Sequence, residues 1–350
     1  MVNRGGGWVR ALATAALVVW FCVTGASAAL AQPAAPTDAC VQSDKRLSEL
    51  SGLATDGERW YAINDGGTKS TVYVLGHDCK IQKVINGPTD PFDVEDLARA
   101  ANGNFWLADT GDNDKKRETV ALIELTPAGK TTLYRLTYPD GPHDTEALLL
   151  DKSGIPHLVT KSPFGVSEIY RPKGKLAAPG PTALEKVGDV QISSTDTKGG
   201  PVNPAIGSMV VTGGSVSLDG MIVVLRTYTD AYLYAAPDGD VVAALKRTPA
   251  RVPLPNEKQG EAITIEPDGT LVSGSEGVGT PIRVVKGAAG LLPTPTTAAP
   301  GTSSDAPGSG AGGSTEASDD GMSTVPALGI AAVAVGGTLF LMHRRAAKRG

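Results

Sequence analysis

The sequence predicts an all-β chain, specifically a β-propeller of about five blades, and three observations carry that prediction. First, Glu95-Asp96-Leu97-Ala98, Glu146-Ala147-Leu148-Leu149 and Glu261-Ala262-Ile263-Thr264 recur in one frame, each Glu standing eight residues before a turn glycine (Gly103, Gly154, Gly269). Second, with Gly57 and Gly220 added from two looser units, the turn glycines are spaced by 46, 51, 66 and 49 residues. Third, each unit continues into short segments of strand character, such as NFWLAD, TVALIEL and AYLYAA, broken by Asn-Gly or Asp-Gly turns. A period near 40–50 residues with several strands per unit is the mark of a propeller blade. The interval of 66, around Ser193 to Pro204, is either a loop insertion or a degenerate sixth blade.

The remaining segments frame this region. Residues 1–31 read as a secretory signal peptide, with Arg4 and Arg10, the apolar stretch Ala11–Gly25 and the small-residue cleavage site Ala29-Leu30-Ala31. Residues 325–342 are 18 uncharged residues, about 27 Å as a helix and enough for one transmembrane helix. The basic tail 343–350 behind it places the C-terminus in the cytoplasm and the rest outside, a single-pass protein of the cell membrane. Residues 291–323, rich in Pro, Gly, Ser and Thr, form a disordered stalk, which leaves 38–290 as the ectodomain.

Charge and cysteine content narrow the function. The whole chain is at −5, but between the signal and the tail stand 26 bases against 37 acids. So acidic an exterior excludes a surface for coating nucleic acid. Once Cys22 leaves with the signal, Cys40 and Cys79 remain, and in an oxidising compartment the pair reads as a disulfide. Residues 40–47 are placed to complete the last sheet as a closing strand, which the bridge would pin to the neighbouring blade.

Four runs, DVEDLA…FWLADTGDN…R (93–117), DTEALLL…VTK (144–161), LRTYTDAYLY (225–234) and QGEAITI…SGSEG (259–277), resemble bacterial exported propellers of the esterase-like phytase and SdiA-regulated type. The resemblance spans about 240 residues of the ectodomain and implies a propeller and, by the family's name, phosphoester or ester hydrolysis.

Repeated residues in one frame meet around a propeller's channel. Glu95, Glu146 and Glu261 are therefore expected to form part of a ring, with Ser51 and Gly214 in the looser frames and Glu49 as an alternative member. The second strands end in Asn64, Asp65, Asp109, Lys161, Arg226, Ser275 and Glu276, expected near that ring. Converging carboxylates raise one another's pKa unless a cation relieves them. The relief is Ca²⁺ or another divalent ion on Glu95, Glu146 and Glu261, or the internal cations Lys161 and Arg226 in a hydrogen-bonded plug. Asn64, Asp65, Asp109 and Glu276 are the candidate ligand-binding residues. The Asp109–Asp114 loop lacks EF-hand spacing and reads as a solvated turn that Arg117 could bridge. His143, beside Asp144, is the best-placed group for proton transfer; Tyr228, Tyr232 and Tyr234 read as packed strand aromatics. No nucleophile elbow, zinc motif or phosphate loop is present. The leading expectation is a module binding an envelope or extracellular ligand through an acidic channel mouth. The alternative is a metal-assisted phosphoesterase or esterase, with Glu95, Glu146, Glu261, Lys161, Arg226 and His143 as catalytic candidates.

Overall fold

A computed structural model describes residues 33–293 together with the first two. The signal segment, nearly all of the stalk and the transmembrane segment expected at 325–342 lie outside the described residues; within them no helix is long and apolar enough to cross a membrane.

The chain is all-β and propeller-like. After an opening strand β1 (Thr37–Gln42) come β2 (Leu50–Thr55), β3 (Trp60–Asn64), β4 (Thr71–Leu75) and β5 (Ile81–Asn86), an antiparallel meander in sequence order. The second meander is β6 (Val94–Arg99), β7 (Phe105–Asp109), β8 (Val120–Leu125) and β9 (Thr131–Thr137). The third is β10 (Thr145–Leu150), β11 (Pro156–Thr160), β12 (Val166–Pro172) and the long β13 (Thr182–Gln191). The fourth is β14 (Val211–Val216), β15 (Ile222–Thr227), β16 (Asp230–Ala235) and β17 (Ala250–Pro253). Last come β18 (Gly260–Ile265), β19 (Leu271–Ser275) and β20 (Thr280–Val285), to which β1 adds itself antiparallel as the fourth strand. The second and third meanders are joined at their outer edges by a short parallel contact of β13 with β9, which makes them one eight-stranded sheet.

The first strands of the meanders stand side by side in a closed ring, β2 beside β6, then β10, β14, β18 and again β2. The 66-residue interval is an insertion: 193–203 carries no strand, and the connection is completed by a single short helix, α1 (Pro204–Gly207). The expected closing strand is present, shifted toward the N-terminus. It ends at Gln42 because Asp44 then caps a 3₁₀ turn, accepting from the Arg46 amide at 3.0 Å.

The apolar core follows this plan. Five separate hydrophobic clusters fill the gaps between neighbouring sheets, such as Tyr61, Ile63, Leu97, Phe105 and Ile123 between the first two. Fully burying each such side chain contributes about 1.5–3 kcal/mol. The channel axis, by contrast, is polar. Asp96 is wholly buried there, one carboxylate oxygen taking the Leu97 amide at 2.8 Å and the other the amides of Leu148 at 2.8 Å and Gly214 at 3.1 Å. Three inner strands are thus held on one carboxylate. A Cβ at Gly214 would stand 2.8 Å from Leu149 Cδ2 and 3.1 Å from Ala147 Cβ, so a larger residue there would have to push the buried Leu149 side chain aside.

The Cys40–Cys79 disulfide joins β1, in the last sheet, to the β4–β5 turn of the first, with Cα atoms 5.8 Å apart. Two stability predictions follow from these ties. Asp96→Ala strands buried amide donors and should lower the unfolding free energy by about 3 kcal/mol or more in urea melts. Cys40→Ser should cost about 3–4 kcal/mol by loop-closure entropy, read as a clear drop in Tm that reductant reproduces in the unmutated chain.

Candidate functional site: a carboxylate chamber at the channel mouth

All five inner strands carry a β-bulge near their start. The register slips between Leu50 and Leu53, Val94 and Asp96, Thr145 and Ala147, Val211 and Gly213, and Gly260 and Ile263. A bulge adds one residue to a strand and re-aims its side chain. The residues so placed are Ser51, Glu95, Glu146, Thr212 and Glu261, which is why the glutamates recur in frame. The ring member of the fourth unit is therefore Thr212, where the looser alignment points to Gly214; Thr212 too stands eight residues before its turn glycine, Gly220. In the first unit Ser51 takes the place, because its hairpin is two residues shorter. Ser51 Oγ donates to the Glu95 carbonyl and Thr212 Oγ1 to the Gly260 carbonyl at 2.8 Å, each tying neighbouring inner strands together.

Glu95, Glu146 and Glu261 are all buried. Glu146 Oε1 accepts from the Lys161 ammonium at 2.7 Å, and Glu261 Oε1 from the Gln259 amide at 3.2 Å. Both oxygens of Glu95 and Oε2 of Glu146 have no hydrogen-bond partner among the described residues and are shielded from solvent, whereas the buried Glu261 carboxyl shares a hydrogen bond with Glu276. Glu95, Glu146 and Asp144 bring one carboxylate oxygen each to within 4.8 Å of one another. Glu261 sits to one side, in the company of Glu276, whose carboxylate takes Gln259 Nε2 at 2.6 Å. Asp144 was not among the expected ligands, although it lies two residues before Glu146 in the β9–β10 connection.

The acidic Asp109–Asp114 loop is largely buried, contrary to the solvated turn expected, because its carboxylates bind backbone. Asp109 Oδ1 accepts the Asp93 amide at 2.9 Å and Arg117 at 3.1 Å, and Asp112 accepts the amides of Lys116 at 2.9 Å and Arg117 at 2.8 Å. Asp112 in turn gives its own amide to Asp144 at 2.8 Å. A side chain at Gly111 would run into the carboxylates of Glu95 and Asp93, so this glycine brings the loop down as a lid on the chamber.

The two internal cations differ. Lys161 faces the chamber, between Glu146 and the Tyr228 ring. Arg226 is a strut: its five N–H donors go to the carbonyls of Thr227, Ala262, Gly274 and Tyr228 and to Glu257 at 2.7 Å. His143 lies outside the chamber, between Asp140 at 3.0 Å and Glu168 at 3.4 Å. Asn64 pairs with Glu49 and lines a cavity of about 240 Å³ between the first two sheets, together with Gly66, Gly67, Lys69 and Tyr73. Tyr232 and Tyr234 pack in β16, while Tyr228, in the turn before it, borders the chamber beside Lys161.

Burial and mutual repulsion set the chamber's electrostatics. Burial first, then Glu146 and Asp93, push Glu95 well above the carboxylate range; Glu146 is raised although Lys161 opposes it, and Glu261 is raised by burial and by Glu276. Burial alone would lower Lys161, but Glu146 and the other surrounding acids hold it as an ammonium. Glu276 is pushed up to about 7, chiefly by burial.

No protein-family model matches the chain, and no curated protein matches it in sequence. Similar solved structures include a gluconolactonase from Xanthomonas campestris, with 12% identity, a TM-score of 0.39 and 67% of this chain against 71% of that one covered. A luciferin-regenerating enzyme has 10% identity and a TM-score of 0.41 over 72% of this chain and 95% of the other. Virginiamycin B lyase from Staphylococcus aureus has 9% identity and a TM-score of 0.38 over 71% and 98%. Likeness at this level assigns neither ligand nor reaction; the propeller-like architecture rests on strand order.

The raised carboxyls make stability depend on pH. A carboxyl that titrates near 7 when folded and near 4 when unfolded takes up a proton on folding. Its stabilisation is full below about pH 4 and is lost as pH rises through about 7. The Tm of the chelator-treated protein should therefore fall from pH 5 to pH 8, and Glu276→Gln should flatten that decline in calorimetric scans.

Proposed function

We propose that this chain is an exported, membrane-anchored five-bladed β-propeller that binds an envelope or extracellular ligand, with a divalent cation held in its mouth chamber. The observation that carries the reading is the set of three buried carboxylate oxygens without hydrogen-bond partners among the described residues, two on Glu95 and one on Glu146. An unpaired buried carboxylate costs several kcal/mol, and a cation is the partner that removes the cost for several at once. Glu95, Glu146 and Asp144 would hold it, hard oxygen donors that suit Ca²⁺. The ion would complete the floor beneath Asp65, Asp109 and Glu276, while Asn64 and its cavity offer the adjoining space for the ligand. The Cys40–Cys79 bridge supports an oxidising exterior, and the signal and anchor segments rest on the sequence alone.

Hydrolysis of phosphoesters is the second reading, favoured by the Lys161 ammonium beside Glu146 and by the family resemblance of the repeat motifs. No histidine borders the chamber among the described residues, and binding is therefore preferred.

Metal analysis of the purified full-length chain tests the proposal, together with melting in Ca²⁺ and in chelator. One divalent ion per chain is expected. With the ion at a hundredfold excess over Kd, the gain is about 2.7 kcal/mol, or roughly 5–10 °C in Tm, and Glu95→Gln with Glu146→Gln should abolish it. No retained ion and an unchanged Tm would end the cation reading. Phosphoester turnover lost in Glu146→Gln would replace binding by catalysis.

A further inference from the structure

His143 belongs to a second polar group, outside the chamber and between the second and third sheets. The β9–β10 connection supplies Asp140 and His143 to it, and β12 supplies Glu168 and Tyr170. One donor atom each of Asp140, His143 and Glu168 lie within 4.8 Å of one another. Asp140 is exposed and the other two are half-buried, so the group is open to ions from solvent. It shares no residue with the chamber.

At its centre stands the hydroxyl of the buried Tyr170, 2.7 Å from Asp140 Oδ2, 3.0 Å from Glu168 Oε2 and 3.1 Å from His143 Nε2. A phenol has one proton to give. When it goes to one carboxylate, the other faces the phenol oxygen with no hydrogen between them, and a doubly protonated imidazole does not change this. Charge is out of balance as well. Lys186 Nζ, which holds Glu168 Oε1 at 2.7 Å and Asp189 Oδ1 at 2.8 Å, is one ammonium against the three carboxylates of Asp140, Glu168 and Asp189. The donors are nevertheless held in place. Lys186 pins one oxygen of Glu168 and leaves the other turned to Tyr170, and the His143 ring packs edge-on against Tyr138 at 5.0 Å and tilted against Tyr170 at 5.1 Å. Outer partners that orient the donors are a regular part of a metal site.

We propose that Asp140, His143 and Glu168 bind a divalent transition-metal ion of the zinc class. The imidazole sets the class, because nitrogen donors suit Zn²⁺ whereas all-oxygen sets suit Ca²⁺ and Mg²⁺. Ligands of a tetrahedral Zn²⁺ stand about 3.3 Å apart, and rotation of the two carboxylate side chains closes the remaining distance. The ion takes the lone pairs that the single Tyr170 proton cannot serve and offsets the excess of negative charge. Tyr170 then donates to a ligand carboxylate from outside, and three protein ligands leave a fourth position to water.

The purified full-length chain, stripped with chelator and kept in excess Ca²⁺, is titrated with Zn²⁺ by calorimetry to test the site. One saturable Zn²⁺ per chain that neither Ca²⁺ nor Mg²⁺ displaces is expected, and Co²⁺ in its place should give a visible absorption band. His143→Gln should remove that band and weaken Zn²⁺ binding by more than about a hundredfold, since loss of an outer-shell partner alone costs roughly ten- to a hundredfold. Glu168→Gln should do the same, and decides the matter if His143→Gln does not fold. Absence of saturable Zn²⁺ binding overturns the proposal. So does displacement by Ca²⁺ at equal concentration, or a Zn²⁺ stoichiometry and Co²⁺ band that survive both substitutions.

Discussion

Five inner strands packed around an axis leave a column too narrow for interlocking apolar side chains and too enclosed for bulk water. The fold resolves that constraint with one carboxylate. Asp96 gathers amides from β6, β10 and β14, so that three strands of the ring share a single acceptor pair. Hydrogen bonds of this kind are worth about 0.5–1.5 kcal/mol each, and leaving their buried donors unmet costs about 1–3 kcal/mol apiece. The apolar clusters can then stay between sheets, where they hold neighbours together but cannot fix the centre.

Bulges turn the same ring into a site. Each inner strand reaches the mouth with one residue too many, and the extra side chain has nowhere to go but the channel. Three of the five such residues are glutamates, brought within range of Asp144, Glu276 and Asp65 by strands that are remote in sequence. Lys161 is the cation the chain itself contributes to this chamber, which falls short of the surrounding carboxylates. Arg226, equally buried, is spent on backbone carbonyls and Glu257, and it holds strands in place while contributing nothing to the chamber's balance.

Much of this was legible in the sequence. The Glu-to-glycine spacing of eight marks the repeat, and the repeat points to Glu95, Glu146 and Lys161 and to a closing strand. The position of Thr212 was also encoded by that spacing but hidden, because a threonine does not stand out among glutamates. What could not be read was the bulge itself, since register depends on the partner strand and leaves no mark on one strand alone. For the same reason nothing in the sequence singles out Asp96, and the burial of the Asp109–Asp114 loop is invisible there: a run of acids looks solvated until the amides that neutralise it are placed. Asp144 belongs to the chamber through the path of a connection, and connections carry little periodic signal.

The closing strand bears on how the domain is made. Thr37 pairs with Val284, so the last sheet cannot form until nearly all of residues 37–285 have been synthesised. The disulfide has no such delay: its cysteines are 39 residues apart and need nothing from β20. Once oxidised, it keeps β1 tethered at the flank of the first sheet, with its hydrogen-bonding edge waiting for the final hairpin. A long-range search becomes a local docking step, and the exposed edge of an unfinished ring is guarded during the interval in which it could pair with another chain.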